Sequence, residues 1–580
     1  MNRRVGWSLL VLLSAWIVSA IVVNPCGEFL INDDWSYVRA LQRLLEGPGL
    51  DTTGWGPPGA PAGPSAILHL LWGGLFVQVF GWSLTVLRFA VLGAGVAASL
   101  MFFLFLRSRG TSQPLALCAA FTLVFNPLFF ALAFTFMTDV TFVALSIGAI
   151  AFMVTGVDRG RTSYAVIGLL LAGAATLVRD FGLLLAVGFV ITCVVHPRGK
   201  GLGPLSVLAW AAGVCLLPWL CWEAVLFQIG STFWQHQAWQ NIFGNQDTAT
   251  VVFRVLKGVA LRLPWIVGYV SLFTLPVLAA TWDGRLTSPW VRWIVAGWTV
   301  VFLALEGAIL TNLISPKTAF VGNIFIESGI GPITLKDMHI LPASTRGIVI
   351  GPAIFYALVY AAGLGALRLM GVVVRTVKAL PRCKEMSPQD CPDFLALYAL
   401  VVSVLYGGVL CIIGGFVDRY LIPLCMLVIL WVISASRSLA DEQVPRPGDL
   451  PWWGRMRWLL ASAMLGLFAL FSVGGTHDFM SLKRSVAQAH HYLLTEMAVN
   501  PCDGDGGFEF NGWHCYRNDF RPKPGMSWWW VDRETFVVTL CPLPGFRTVR
   551  SFPFRRILAF DGQVVVLVPD AEPPNTAGEK

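Results

Sequence analysis

Asn32-Asp33-Asp34-Trp35-Ser36-Tyr37 sets two adjacent carboxylates just after the first apolar stretch of the chain. A carboxylate so placed can accept the proton of a hydroxyl or amine as that group attacks an electrophile. Three further charged spots interrupt later apolar runs: Asp139 in Thr135-Phe136-Met137-Thr138-Asp139, the pair Arg179-Asp180, and Asp418-Arg419-Tyr420. Arginine suits a departing phosphate, because its planar fork meets two oxygens at once and is more weakly hydrated than an ammonium. Singly, each spot has a plain structural reading. Asp139 could cap the helix that follows it, Arg179 could pair with Asp180, and Arg419 could reach toward headgroups. Brought to one face, they would supply both the base and the phosphate grip of a group transfer.

Helices in a bilayer must do the positioning. The chain has 580 residues, of which 56% are hydrophobic and only 13% charged, and its mean hydropathy is +0.68. That composition describes a polytopic membrane protein rather than a soluble enzyme. Apolar runs recur to about residue 473 and divide into about thirteen spans, an all-α core, since open sheet cannot survive in lipid. The formal charge of +8 reflects arginines and lysines in alternate loops and carries no basic tract of the kind that binds nucleic acid. Arg3 and Arg4, Arg107 and Arg109, Arg159 and Arg161, Arg198 and Lys200, and the stretches around 375–384 and 437–457 then fall on the inner side. The first segment reads as a retained anchor with its N-terminus inside, and Asp33, Asp34, Asp139, Arg179, Asp180, Asp418 and Arg419 fall outside.

Residues 25–82 are too polar and too rich in glycine and proline for ordinary spans. Tyr37, Ala40, Leu41, Leu44 and Leu45 share one helical face, which predicts an amphipathic helix along the interface. Pro57, Pro58, Pro61 and Pro64 enforce a loop, and Ser65–Phe80 reads as a re-entrant or surface helix or an extra crossing, with the basic-loop count favouring the surface. Three units result: a core over 1–474, a small outer α+β domain over 475–570, and a disordered tail over 571–580. In the outer domain a helical pattern covers Phe479–Val499, strand-like runs cover Trp528–Leu540 and Ile557–Val568, and Asp561-Gly562 reads as a two-residue hairpin turn. Of twelve cysteines, Cys26, Cys502, Cys515 and Cys541 fall outside, where disulfides persist, and Cys502 with Cys515 is the preferred pair. Asp503-Gly504-Asp505 lacks the remaining pattern of a calcium loop and reads as a tight turn.

The acidic pair, the amphipathic helix, the Gly/Pro loop, Trp72-Gly73-Gly74-Leu75-Phe76 and Phe80-Gly81-Trp82-Ser83 running into Leu87-Arg88, and the Asn126-Pro127 to Asp139 turn together resemble the C-type membrane glycosyltransferase superfamily. Within it, the likeness is to bacterial members of the protein O-mannosyltransferase and aminoarabinose transferase group. It covers residues 1–200 well and later spans loosely, with Arg419-Tyr420-Leu421-Ile422-Pro423 similar to a late motif. The resemblance implies a multi-pass protein of the bacterial inner membrane with an extracytoplasmic C-terminal domain. It also implies an inverting transfer from a polyprenyl-phosphate sugar to an extracytoplasmic acceptor. Asp33 or Asp34 would be the base, and Asp139 would assist. Arg179, Arg419 and Lys317 would hold the donor phosphate, with Tyr37, Asp180, Tyr420 and His69 positioning substrate. Some members use a divalent metal ion, for which Asp34 and Asp139 would be the ligands here. Relatives often carry His-Pro-Pro in the first loop, where this chain has Gly56-Pro57-Pro58-Gly59.

Two other classes predict different patterns. A transporter or lipid flippase would show inverted repeats and charges near the midplane, whereas these charges sit at helix ends. A non-catalytic assembly protein would keep the fold and use the outer domain for binding.

Overall fold

A computed structural model of the chain describes residues 3–47, 66–228, 247–282, 289–311, 313, 320–336, 347–379, 393–413, 416–437, 452–517, 519–527 and 529–570. The Gly54–Pro64 loop, Lys317, Cys383, Cys391, His236, His339 and the 571–580 tail lie outside them.

The N-terminal core runs α1 (Arg3–Val23), α2 (Asp34–Glu46), α3 (Ile67–Phe80), α4 (Leu84–Ser108), α5 (Gln113–Val124), α6 (Pro127–Leu132), α7 (Thr138–Arg159), α8 (Thr162–Thr176) and α9 (Leu183–Val195). It continues with α10 (Leu217–Gln228), α11 (Thr248–Phe273), α12 (Pro289–Leu310), α13 (Pro352–Ala379), α14 (Phe394–Ile412), α15 (Ile422–Arg437) and α16 (Trp452–Thr495). Eight helices among the described residues are long and apolar enough to cross a bilayer, and five further apolar ones have 10–17 residues. α2 is the expected amphipathic helix, burying Trp35, Val38, Ala40 and Leu41. α3 has 14 residues and belongs with the shorter apolar helices of the bundle.

The basic loops gather at one end of the bundle. Arg109, after α4, pairs with Asp158 at the end of α7 and, at 2.6 Å, with Asp393 before α14, while Ser434 near the end of α15 also bonds Asp393. α1 leaves the bundle, and α4, α7 and α15 begin, at the opposite end. There, Arg88 turns back from α4 and donates to the carbonyls of Pro25 and Gly27 at 2.8 Å and to that of Phe29. An arginine inside an apolar helix thus staples the first outer loop to the core.

Beyond the core, α16 runs 44 residues without a break, so the last span and the expected outer helix are one rod. The 320–336 segment holds a short antiparallel pair, β1 (Phe325–Ile326) and β2 (Gly329–Ile330), and α16 carries α17 (Phe508–Cys515) and an antiparallel sheet of β3 (Val537–Thr539), β4 (Phe546–Phe554) and β5 (Gly562–Pro569), ordered β3-β5-β4. Asp561-Gly562 does not form a two-residue hairpin. β4 ends at Phe554, and the chain over 555–561 peels away because Asp478 of α16 accepts the amides of Ile557 and Leu558. Cys502 and Cys515 form the expected disulfide across α17.

Candidate active site

Asp33 and Asp34 are separated by one residue of helix phase, and their environments diverge. Asp34 starts α2 facing inward, 2% exposed, and accepts the amides of Ile31 at 2.6 Å and of Phe136. Burial pushes its carboxyl up to about 7, against the pull of nearby Arg88. It thereby ties the first loop to the Thr135–Asp139 turn. Asp33 keeps 35% of its side chain exposed and accepts a hydrogen bond from Arg419 Nη2 at 2.8 Å.

The second acid arrives from α7. Asp139 lies in that helix's first turn, where the dipole favours negative charge, and is 1% exposed. Arg179 reaches it at 2.8 Å, while its Nε donates to the Thr138 hydroxyl at 2.9 Å. The 2.8 Å contact is an ion pair without hydrogen-bond alignment, so both Asp139 oxygens lack an aligned donor among the described residues. A buried carboxylate left so incompletely satisfied marks a place where a ligand group can enter.

The pairs are neighbours. The Arg179 guanidinium lies 5.3 Å over the Tyr420 ring, which follows Arg419 in sequence. Tyr37, one turn into α2, feels the fields of Arg179, Arg419, Asp33 and Asp139, and burial holds its hydroxyl above the ordinary tyrosine range. Four segments far apart in sequence therefore bring Asp33, Tyr37, Asp139, Arg179, Arg419 and Tyr420 to one place. The charges balance as two acid–guanidinium pairs, each with a guanidinium side chain that is 10–11% exposed.

Other expected residues are placed differently. His69 is fully buried, its Nε2 at 3.3 Å from the Phe136 carbonyl and its Nδ1 at 3.1 Å from the Thr141 hydroxyl. A carbonyl accepts only, so Nε2 carries the hydrogen and the neutral ring buttresses the turn that presents Asp139. Gly73 makes this packing close: a Cβ there would stand 2.5 Å from the Phe136 ring. Asp180 accepts from Trp219 Nε1 of α10 at 3.1 Å. Lys336, in the same stretch as Lys317, bonds Glu534. The Asp503–Asp505 turn closes on itself, with Asp505 accepting the Gly507 amide at 3.0 Å.

For a metal, the donor set fits poorly. Asp34 is committed to two amides, the Arg179 cation stands against Asp139 where a second cation would have to displace it, and no group of three or more His, Cys, Asp or Glu gathers among the described residues. A small cavity of about 10 Å³ lies behind the acidic loop, lined by Asn32, Met137, Ile324 and Phe479 among others. It is a packing void beneath the site rather than the site itself.

Residues 65–222 match the model of the family described as dolichyl-phosphate-mannose-protein mannosyltransferase, a stretch that carries Asp139, Arg179 and their turns. That match makes residues 65–222 similar to a family of membrane glycosyltransferases. In sequence, no curated protein matches it. Among solved structures it is similar to ArnT from Cupriavidus metallidurans bound to undecaprenyl phosphate, with 13% identity, a TM-score of 0.39 and 99% of each chain covered. The apo state of that protein gives 13% identity and a TM-score of 0.36, covering 97% of this chain and 98% of that one. The arabinosyltransferase EmbB from Mycobacterium smegmatis gives 13% identity and 0.33, covering 82% of this chain and 41% of its own. Two buried charged groups that hold the acidic loop were not among the expected site residues: Arg88 and Glu509. Arg88 was signalled by its charge within an apolar run, whereas Glu509 of α17 carried no local signal.

Proposed function

We propose that this glycosyltransferase moves a sugar from a polyprenyl-phosphate donor to a hydroxyl or amine acceptor on the extracytoplasmic side of a bacterial inner membrane, with inversion at the anomeric carbon. The observation that carries the reading is the convergence of a half-buried carboxylate, Asp33, with two guanidinium groups around Tyr420. The matched family, described by its dolichyl-phosphate-mannose donor, supports a polyprenyl phosphate as the sugar carrier.

In this reading the donor phosphate competes for Arg419 and Arg179, and its oxygens replace those of Asp33 and Asp139. Asp33, released from its ion pair, accepts the acceptor's proton. The acceptor's lone pair forms the new bond to the anomeric carbon from the face opposite the phosphate. The sugar–phosphate C–O bond breaks, and its electron pair leaves on the phosphate, held by the arginines. Asp34 holds the loop, Tyr37 donates from beside the acids, and Asp139 balances Arg179 before donor arrives. No step is routed through a metal.

The test is transfer by the purified protein in nanodiscs, supplied with radiolabelled polyprenyl-phosphate sugars and envelope extracts as acceptors. Label should leave the lipid for the acceptor with inverted stereochemistry. Label that stays on the lipid for every donor and acceptor tried would overturn the reading.

A further inference from the structure

The outer domain takes hold of the acidic loop through one buried carboxylate. Glu509, in the first turn of α17, is 5% exposed. Its Oε1 accepts the backbone N–H of Asn32 at 2.7 Å, and its Oε2 accepts the hydroxyl of Thr334 at 2.6 Å. Lys483 of α16, also buried, donates to the same Oε1 and, at 2.7 Å, to the Thr334 hydroxyl. The carboxylate is thus neutralised by one lysine and aimed by three donors.

What it touches gives it a role beyond cohesion. Asn32 immediately precedes Asp33 and has φ +53°, a left-handed backbone that a side-chain-bearing residue adopts reluctantly. Its side-chain amide donates to Asn323 at 3.2 Å. Thr334 belongs to the 320–336 segment, and Asp418 accepts the amides of Ile324 at 3.0 Å and Phe325 at 2.7 Å in that segment. Asp418 immediately precedes Arg419. Glu509 therefore grips the neighbour of Asp33 directly and the neighbour of Arg419 through one short segment. On the far side of Asp33, Trp35 is boxed by Phe508, Tyr516 and Trp530, with ring centroids 5.6–6.0 Å away. Arg39 of α2 also donates to the Gly512 carbonyl at 3.4 Å.

We infer that Glu509 is a positioning residue of the transfer reaction: by accepting the Asn32 amide it fixes the left-handed turn that aims Asp33 at the acceptor and keeps it opposite Arg419. The inference rests on the role of Asp33 as proton acceptor. Without the Glu509 carboxylate the Asn32 backbone relaxes toward ordinary negative φ, a rotation of roughly 100°, and the following carboxylate swings with it. Misplacement by about 1 Å can cost a catalytic group on the order of 100-fold in rate.

Two charge-balanced double variants separate aim from cohesion. Lys483→Met with Glu509→Gln removes both charges and keeps an acceptor for the Asn32 amide, whereas Lys483→Met with Glu509→Met removes the acceptor as well. The glutamine pair should retain kcat within about threefold, and the methionine pair should lose at least about 30-fold in kcat with donor KM within about twofold. Independently of activity, amide hydrogen exchange across residues 28–36 should quicken in the methionine pair and stay at the wild-type rate in the glutamine pair. Equal exchange in the two pairs, or equal kcat at equal folded fraction, would overturn the inference. Should wild-type protein exchange as expected yet transfer no sugar, the functional reading fails and the exchange result still decides the aiming role. If the methionine pair does not fold, Asn32→Ala, which keeps the backbone amide that Glu509 accepts but tolerates positive φ less well than asparagine, serves as the second probe. Exchange should quicken there and kcat fall with folding intact, and wild-type values for both would likewise overturn it.

Discussion

Asp34→Asn and Asp33→Asn are near-identical edits with opposite expected consequences. Asparagine at 34 can still accept the Ile31 amide, so transfer should stay within about tenfold, while at 33 it removes the proton acceptor and should cost at least about 100-fold. The buried Asp34 carboxyl also sets a pH signature. Its folded value near 7 lies above the ordinary 3.8, so between those values the folded chain binds more protons than the unfolded one. That group's contribution to stability is present at low pH and is lost as pH rises through about 7. Thermal unfolding from pH 4 to 8 should show that decline in the wild type and lose it in Asp34→Asn. Arg179→Gln strands Asp139, 1% exposed, with an uncompensated charge and should cost about 3–5 kcal/mol in denaturation as well as donor affinity. Sequence reading brought Asp33, Asp139, Arg179 and Arg419 together because charges at the ends of apolar helices have few places to go. It could not divide Asp33 from Asp34, since one residue of helix phase sends one side chain inward and the other outward. His69 reads from sequence as a polar group near the acids, yet its two partners turn it into a strut.

At the scale of elements, the acidic loop is a joint between α2, α17 and the turn before α7. Gly512 shows how tight it is: a Cβ there would stand 2.7 Å from the Trp35 ring. Gly512→Ala should therefore cost about 1–3 kcal/mol, seen as a lower Tm, with a larger proportional loss of transfer than of folded protein. The amphipathic period of α2 and the short apolar run of α3 were legible because each element's burial follows its own pattern. β4 was not, since Arg547 and Arg550 on its exposed face and Pro553 near its end disguise a strand. Nor was the loss of the Asp561-Gly562 hairpin, which depends on Asp478 in a distant helix drawing the intervening chain away. Sequence put four cysteines on the outer side and preferred Cys502 with Cys515, but only the geometry across α17 decides among the pairings.

For the whole molecule, two ends of one bundle carry opposite chemistry: Arg109, Asp158 and Asp393 knit the basic loops at one, and the acid–guanidinium pairs sit at the other. Composition and the alternation of basic loops make that polarity legible. The span count is less so, because helices of 10–17 residues break where the chain turns, and hydropathy alone does not locate the break. Cys26 is exposed at the site end, so a variant retaining it as the single free cysteine should react with a membrane-impermeant maleimide from the extracytoplasmic side. Labelling only after permeabilisation would invert the proposed orientation. The most direct measurement compares wild-type and Asp33→Asn protein in nanodiscs for both sugar transfer in a single turnover and binding of polyprenyl phosphate. Transfer lost by at least about 100-fold with binding intact is the predicted result; full transfer by Asp33→Asn would contradict the account.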